Sequence, residues 1–256
     1  MITIGIDVGS ITTKAAVFKA NNILATHIIH TGYNVKMASQ HVFSGALMAT
    51  GLSAKEVDRV VATGFGRKRV SFADKVIQEI TCHGAGAVFL NPEIRSIIDI
   101  GGQDSKVMVI DDTGQVKDFV MNNTCAAGTG RFLEIMARAL EVDLEEFGNM
   151  SLNAQKTTHI NSVCTAFAES EVLALISKGE KRENIIAGLH SSIADRIADI
   201  SSQINIETPI MMTGGVSKNI GIVRALENQL KTPIFVAQEP QITGAIGAGL
   251  IAYSLS

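Results

Sequence analysis

Two segments of this chain place aspartate, glycine and lysine at the same spacing. Residues 7–14 read Asp-Val-Gly-Ser-Ile-Thr-Thr-Lys, and residues 99–106 read Asp-Ile-Gly-Gly-Gln-Asp-Ser-Lys. Aspartate can hold a hydrated Mg²⁺ ion, and lysine and hydroxyl groups donate hydrogen bonds to phosphate oxygens. Glycine lets successive backbone N–H groups approach an anion. The repeat therefore predicts two phosphate-binding segments.

Each copy of the repeat lies between two apolar runs. Residues 2–6 and 15–18 flank the first copy, and residues 94–98 and 107–110 flank the second. An apolar run on each side of a short glycine-containing segment is typical of a strand, a tight turn and a second strand. We expect two such hairpins, facing each other, to hold a polyphosphate and its Mg²⁺ ion.

A third glycine motif occupies residues 211–219, which read Met-Met-Thr-Gly-Gly-Val-Ser-Lys-Asn. It lies between a short apolar strand and a predicted helix, so Gly214 and Gly215 are expected to lie flat against a nucleoside. The amino terminus of the following helix favours an anion. The sequence contains no GxxxxGK[ST] motif, which excludes that route to nucleotide binding.

Two of the three cysteines directly precede helical patterns. Cys125 lies in residues 122–134 and Cys164 in residues 161–171. A helix amino terminus lowers the pKa of a thiol and favours an anionic metal cluster. Because a [4Fe-4S] cluster takes four thiolates, a homodimer would complete the ligand set, with zinc bound in the same way as the alternative. Cys82, in a helix of small apolar residues, is expected to be a buried hydrophobic residue.

Apolar periodicity predicts an α/β chain with two similar halves. Strands are predicted at 2–8, 13–19, 22–30, 58–63, 94–100, 105–111, 115–121, 209–213 and 234–237. Helices are predicted at 35–50, 78–90, 127–141, 165–178, 182–205, 218–230 and from 242. If the largely helical stretch at about 122–206 is left out, two similar β-β-β-α-β-α units remain.

The composition limits the function classes. The chain has 256 residues, 46% of them hydrophobic, and a net charge of −3, which favours neither nucleic acid nor a membrane surface as a partner. No window is long and apolar enough to span a bilayer, and the first residues predict a strand rather than a signal peptide. We therefore expect a cytoplasmic protein without a disulfide framework.

The three glycine motifs, in this order, resemble those of the superfamily of actin, Hsp70 chaperones and sugar kinases (the ASKHA fold). The resemblance implies two ribonuclease-H-like domains that close on Mg-ATP in a cleft. The first would comprise residues 1–93 and 243–256. The second would comprise residues 94–242 and include a helical, cluster-binding insert at about 122–206.

The same resemblance implies roles for individual residues. Asp7 and Asp99 would bind Mg²⁺ through water, Lys14 would reach the β and γ phosphates, and Gln103 or Asp104 would orient the attacking water. The further residues implied to bind ATP or ADP are Gly9, Ser10, Thr12, Thr13, Gly101, Gly102, Ser105, Lys106, Gly214, Gly215, Ser217 and Asn219.

The two cysteine segments, together with Ala-Thr-Gly-Phe-Gly-Arg at 62–67, narrow the resemblance. They are similar to the activators (component A) of 2-hydroxyacyl-CoA dehydratases, in the BadF/BadG/BcrA/BcrD-type ATPase family of anaerobic metabolism. In that family two subunits share one [4Fe-4S] cluster, through positions that match Cys125 and Cys164. The resemblance implies that ATP hydrolysis drives an electron to the dehydratase or a related iron–sulfur protein, with ferredoxin or flavodoxin as the donor.

Two other functions are compatible with the same fold. A sugar-type kinase, for example one acting on N-acetylglucosamine, needs an acid–base aspartate near the γ phosphate, and we identify none with its own substrate loop. A non-redox ATP switch, resembling a chaperone or a filament protein, would also leave the two cysteine segments without a role. Release of ADP that depends on sugar, or filament growth on addition of ATP, would distinguish these alternatives.

Overall fold

A computed structural model describes residues 1–122, 126–160 and 164–255. The strands are β1 (Ile2–Val8), β2 (Thr12–Lys19), β3 (Asn22–His30), β4 (Arg59–Thr63), β5 (Lys75–Val76), β6 (Ser96–Ile100), β7 (Ser105–Ile110), β8 (Val116–Asn122), β9 (Ile210–Thr213) and β10 (Ile234–Val236). The helices are α1 (Val35–Thr50), α2 (Glu79–Leu90), α3 (Gly130–Leu140), α4 (Leu144–Leu152), α5 (Thr165–Ser177), α6 (Arg182–Ser201), α7 (Ile220–Leu230) and α8 (Thr243–Ser254).

The chain forms two compact units. The first comprises Met1–Ile97, Ile110–Asp118 and Ala237–Ser256, and the second comprises Ile98–Val109 and Phe119–Val236. Each unit contains one of the two Asp-to-Lys repeats. The domain boundaries expected from the sequence, after residue 93 and before residue 243, stay a prediction.

The first sheet has the strand order β3-β2-β1-β4-β5. β1 pairs with β2 in antiparallel fashion, which places Asp7 opposite Lys14, and with β4 in parallel fashion, which places Asp7 opposite Thr63. The aspartate at the end of β1 is therefore flanked on both sides by strand ends that carry polar side chains.

Alternation along β1 gives the first sheet two different faces. Ile4 and Ile6 point into a core shared with Val42 of α1. On the opposite face a Cβ atom on Gly5 would collide with the carbonyl oxygen of Ala245, so this glycine allows α8 to pack directly on the strand. Small residues thus bring α8 close to the sheet end that carries Asp7.

The second sheet has the strand order β10-β9-β6-β7-β8, with β9 and β10 parallel. In the second unit, apolar side chains of this sheet pack with the helices α3 to α7. Their common core contains Ile98, Ile100, Phe132, Met136 and Ile193. Burial of this apolar surface is the main favourable term in forming the unit.

The predicted strands and helices are confirmed within about four residues at their ends. The helix α4 and the two-residue strand β5 were not predicted from the sequence. α3 begins at Gly130 rather than at 127, because the N–H and the hydroxyl of Thr129 both donate to the carbonyl of Ala126 and close a turn there. Among the residues that the structure describes, no helix is long and apolar enough to cross a membrane.

Candidate functional site

The first hairpin, β1 and β2, brings a lysine onto the aspartate. Lys14 Nζ lies 3.1 Å from Asp7 Oδ2, and both side chains are largely buried. The turn is closed by a hydrogen bond from the Gly9 N–H to the Thr12 carbonyl at 3.0 Å. A Cβ atom on Gly9 would lie 3.0 Å from Lys14 Nζ, so the glycine keeps the turn open beside the ammonium group. The hairpin therefore presents a cation and backbone N–H groups, which suits an anion.

The second oxygen of Asp7 lacks a hydrogen-bond partner among the described residues. Asp7 Oδ1 is fully buried and receives no hydrogen bond. Gly64, which follows β4 with a φ of +86°, packs so closely that a Cβ atom there would collide with this oxygen. A buried, unpaired carboxylate oxygen is costly unless a cation, water or donor completes it. Its chemistry fits a ligand of hydrated Mg²⁺.

The hydroxyl groups of the first hairpin divide into two sets. Thr13 is buried and its Oγ1 lies 2.9 Å from that of Thr31, which donates to the Gly9 carbonyl at 2.8 Å. Thr13 therefore donates to Thr31 and holds the turn rather than facing a ligand. Ser10 and Thr12 are partly exposed at the turn, as a phosphate contact requires.

The second hairpin, β6 and β7, repeats the ion pair with an added carboxylate. Lys106 Nζ lies 3.3 Å from Asp99 Oδ2 and 3.0 Å from Asp104 Oδ1. Thr213 at the end of β9 donates a hydrogen bond of 2.9 Å to Asp99 Oδ1. Both oxygens of Asp99 thus have partners in their own unit, unlike those of Asp7.

The turn of the second hairpin contains the other predicted residues. The Gly101 N–H donates to the Asp104 carbonyl at 2.9 Å, as Gly9 does to Thr12 in the first hairpin. Gln103 is exposed at the turn, whereas Ser105 is buried with an Oγ that has no partner among the described residues. Because Asp104 is paired with Lys106, the Gln103 side chain is the more available of the two to orient a water.

A second repeat, Thr-Gly at the end of a neighbouring strand, accompanies the hairpins. Thr63 ends β4 and Gly64 follows it; Thr213 ends β9 and Gly214 follows it. Gly214 has a φ of +87°, and a Cβ atom there would lie 3.0 Å from Asp99 Oδ1, as Gly64 crowds Asp7. The role of Gly64 was missed from the sequence, although an apolar run followed by Thr-Gly is its signal.

The loop after β9 forms a short 3-10 turn over Gly215–Lys218. Ser217 is buried and donates to the Gly214 carbonyl, while Gly215 is exposed. The Asn219 side chain accepts from the N–H groups of Gly221 and Ile222 and caps α7. The glycine pair is therefore open to a nucleoside. The Asn219 side chain instead hydrogen-bonds within the protein, where it caps α7.

A histidine and a glutamate near Asp7 were also missed from the sequence. His83 is buried on α2 and its Nε2 lies 4.0 Å from Glu79 Oε1, one helical turn away. A Cβ atom on Gly244 would lie 3.0 Å from His83 Nε2 and 3.1 Å from Asp7 Oδ2. The i, i+4 spacing of Glu79 and His83 could have revealed this pair.

The first turn of α3 is hydrogen-bonded to the second hairpin. The N–H groups of Gly130 and Arg131 donate to the carbonyls of Gly101 and Gly102, each at 2.9 Å. The helix that follows Cys125 in the sequence therefore begins on the predicted phosphate turn. No pattern in the sequence indicates this long-range contact.

The three cysteines differ in their surroundings. Cys164 is exposed and is the residue that precedes α5, so its thiol lies at a helix amino terminus. Cys125 lies outside the described residues. Cys82 is buried, and burial raises the pKa of its thiol to about 12. Cys82 is thus a neutral core residue, as predicted, and Cys164 has the exposure that a shared cluster ligand needs.

The two five-stranded sheets, each with an Asp-to-Lys hairpin, give the chain the fold expected of the actin, Hsp70 and sugar kinase superfamily, and the family match identifies it as an ATPase. The chain belongs to the BadF/BadG/BcrA/BcrD ATPase family, whose profile matches residues 4–252. A hexokinase of the ROK type from Thermus thermophilus has the same fold, with a TM-score of 0.53, 14% identity and coverage of 99% of each chain. That likeness concerns the fold alone.

Close relatives are named as activators of dehydratases. The activator of lactoyl-CoA dehydratase from Anaerotignum propionicum is 48% identical over 99% of this chain and 98% of its own length. The structure of the 2-hydroxyisocaproyl-CoA dehydratase activator from Clostridium difficile with bound ADPNP has a TM-score of 0.94, with 44% identity over 99% of this chain and 95% of that one. Component A of the Acidaminococcus fermentans (R)-2-hydroxyglutaryl-CoA dehydratase has a TM-score of 0.96, at 39% identity over 99% of this chain and 98% of that one.

Proposed function

We propose that this protein is an ATP-dependent, electron-transferring activator. In this proposal two copies share one [4Fe-4S] cluster, and hydrolysis of ATP drives an electron to a 2-hydroxyacyl-CoA dehydratase or a related iron–sulfur protein. Ferredoxin or flavodoxin returns the cluster to its reduced state. The chain belongs to a family of ATPases, and close relatives of the chain are named as dehydratase activators.

The observation that carries this proposal is the contact between the second hairpin and α3. The carbonyls of Gly101 and Gly102 accept the first two N–H groups of the helix that follows Cys125 in the sequence. A phosphate that binds the N–H groups of this turn reorients the same peptide units whose carbonyls hold α3. In this proposal, occupancy of the nucleotide site and the position of the first turn of α3 are therefore coupled through two hydrogen bonds.

The nucleotide is held by residues of both repeats and of the glycine loop. We assign the Mg²⁺ ion to Asp7 and Asp99 through water, and the unpaired Asp7 Oδ1 supports the first assignment. Lys14 contacts the β and γ phosphates, because its ammonium group lies beside the Gly9 turn. We favour Gln103 over Asp104 for orienting water, since the Asp104 carboxylate is paired with Lys106.

The cluster ligands in this proposal are Cys125 and Cys164 of each subunit. Cys164 is exposed at the residue that precedes α5, which leaves its thiol accessible to a shared cluster. When bound, the cluster stores one electron for transfer. Cys82 is not a ligand in this proposal, because its thiol is buried and burial raises its pKa to about 12.

A dependence on ATP is physically reasonable if the transfer is uphill. For a one-electron couple, about 59 mV corresponds to about 1.4 kcal/mol, so a push of roughly 200 mV needs about 5 kcal/mol. A nucleotide that binds two conformations unequally supplies a bias of a few kcal/mol. Hydrolysis then makes the transfer irreversible.

The test is a coupled assay under strictly anoxic conditions. Protein reconstituted with iron and sulfide is mixed with lactoyl-CoA dehydratase, lactoyl-CoA, dithionite and MgATP. We expect dehydration with ATP, none with ADP, none with Cys164→Ser, and full activity with Cys82→Ser. ADP release that depends on a sugar would support a kinase, and filaments on ATP addition would support a switch. Wild-type activity in Cys164→Ser would overturn the electron-transfer role.

A further inference from the structure

We propose that His190 is a positioning residue of the nucleotide site, which fixes the amide of Asn219 and thereby the glycine loop at 214–219. The inference rests on the proposed nucleotide binding and adds to it a residue that lies in the core of the second unit. His190 is in the middle of α6 and is 1% exposed, so it has no direct access to a ligand.

The hydrogen bonds around His190 form a chain with a single direction. Ser151 donates its hydroxyl hydrogen to the Gly148 carbonyl at 2.7 Å, so its oxygen accepts from His190 Nδ1 at 2.9 Å. A neutral imidazole that donates from Nδ1 has an acceptor at Nε2. That acceptor lies 3.3 Å from Asn219 Nδ2, and the amide therefore donates to His190.

The direction of this chain determines which way the Asn219 amide points. With Nδ2 on His190, Oδ1 faces the first turn of α7 and accepts from Gly221 N at 3.0 Å and Ile222 N at 3.2 Å. A flipped amide would set its NH₂ group against these two N–H donors and lose the cap of α7. His190 thus selects the orientation that starts α7.

Close packing confines the His190 ring on two sides. The Phe147 ring meets it edge-on at a centroid distance of 5.6 Å, and a Cβ atom on Gly221 would lie 2.6 Å from Nδ1. Burial also lowers the pKa of His190 to about 3, so the ring is neutral and Nε2 remains an acceptor at all physiological pH values.

The side chain of Asn219 caps α7, and the backbone of the same residue closes the loop that we assign to the nucleoside. The Asn219 N–H donates to the Val216 carbonyl at 2.9 Å, which closes the 3-10 turn, and Gly214 at its start packs against Asp99 and Ile100. A change at His190 should therefore weaken nucleotide binding and raise the KM for ATP, while kcat changes less, since no reacting atom is touched.

Two substitutions at position 190 separate positioning from packing. In His190→Gln the amide reaches the place of Nε2 and can still accept from Asn219. In His190→Asn the shorter amide reaches only the place of Nδ1 and leaves Asn219 without an acceptor. Both remove the ring and its contact with Phe147, so both lower the thermal midpoint of unfolding, which serves as the control for structural damage.

The measurement is the Kd for MgADP by calorimetry, with the KM and kcat for ATP. We expect His190→Asn to weaken ADP binding about tenfold and His190→Gln by less than about threefold. Ser151→Ala, which loses the bond to His190 and the local bond to the Gly148 carbonyl but keeps the imidazole ring, should weaken it about threefold and keeps the test decisive if His190→Asn does not fold. Equal Kd values for His190→Asn and His190→Gln, or for Ser151→Ala and wild type, would overturn the positioning role. Wild-type protein that binds no ADP would instead overturn the proposed function.

Discussion

Thr213 donates a hydrogen bond to Asp99 Oδ1 at 2.9 Å, whereas the equivalent Thr63 turns away from Asp7 and donates to the Ile77 carbonyl at 3.1 Å. The two repeats therefore share the same hairpin and strand pairing, but their aspartates differ in their hydrogen-bond partners. Asp7 retains an oxygen without a partner among the described residues, and Asp99 does not. In the proposed magnesium site, this difference favours Asp7 over Asp99 for the more direct role.

The first prediction concerns the metal role of Asp7. Asp7→Asn should lower kcat for ATP hydrolysis about 100-fold and raise the Mg²⁺ concentration needed for half-maximal rate, because a neutral amide holds a hydrated cation poorly. Steady-state ATPase rates over a Mg²⁺ titration measure both effects. Asp112→Asn, at an exposed turn of the same unit, is the matched control and should match wild type. An unchanged Mg²⁺ dependence in Asp7→Asn would contradict the assignment.

The second prediction concerns the glycine beside Asp7. Gly64→Ala should abolish ATPase activity, because the added methyl group would collide with Asp7 Oδ1. Gly51→Ala isolates the backbone cost: Gly51 also has a positive φ, of +70°, but nothing lies within 4 Å of its added Cβ. Gly51→Ala should lose about 1 kcal/mol of unfolding free energy to strain, and Gly64→Ala should lose more, because its methyl group also collides with Asp7 and the Val8 backbone; only Gly64→Ala should lose activity. Equal activity in the two variants would show that the contact with Asp7 is unimportant.

The third prediction concerns the buried lysine of the second hairpin. Lys106→Met should lower the unfolding free energy by about 3 kcal/mol, because it removes the cation that faces Asp99 and Asp104. Urea denaturation measures the loss, and exposed Lys68→Met should change it by less than about 0.5 kcal/mol. Adding Asp99→Asn to Lys106→Met should restore part of the stability. Additive losses in the double variant would mean that this ion pair is not coupled.

The fourth prediction concerns pH and His190. Its pKa of about 3 in the folded protein lies below the ordinary value of 6.5, so the unfolded chain binds a proton first as the pH falls. The contribution of neutral His190 to the unfolding free energy is therefore complete above pH 6.5 and is lost progressively between pH 6.5 and about pH 3. By pH 5 wild type should lose about 2 kcal/mol more than His190→Gln does, as measured by urea denaturation from pH 7 to pH 5. Parallel pH profiles for the two proteins would show that His190 is not held neutral by burial.

The local patterns in the sequence predicted the elements but not all of their contacts. The Asp-to-Lys repeats predicted both hairpins, because an apolar run on each side of a glycine turn is a local signal. The approach of Gly64 to Asp7 requires the parallel pairing of β1 with β4, which is fixed by residues more than fifty positions apart. Long-range pairing of this kind leaves no periodicity in either segment.

Contacts between helical residues and distant parts of the chain left no local signal in the sequence. His190 lies in a helix that was predicted correctly, yet nothing in its neighbours indicates Asn219 or Ser151 as partners. Asn219 was expected to bind nucleotide, and the structure gives its side chain a capping role in α7. The small residues of α8 allow close packing on β1 at Gly5 and on α2 at Gly247.

The most direct test of the account is iron and sulfide analysis of the anoxically purified and reconstituted protein, with the molar mass in solution. We expect about four iron and four sulfide per two chains, in a dimer whose visible absorbance falls on reduction. Cys125→Ser and Cys164→Ser should lose the iron but still bind ADP, and Cys82→Ser should keep the iron. Wild-type protein without iron after reconstitution, zinc in its place, or full iron in Cys164→Ser would contradict the shared cluster.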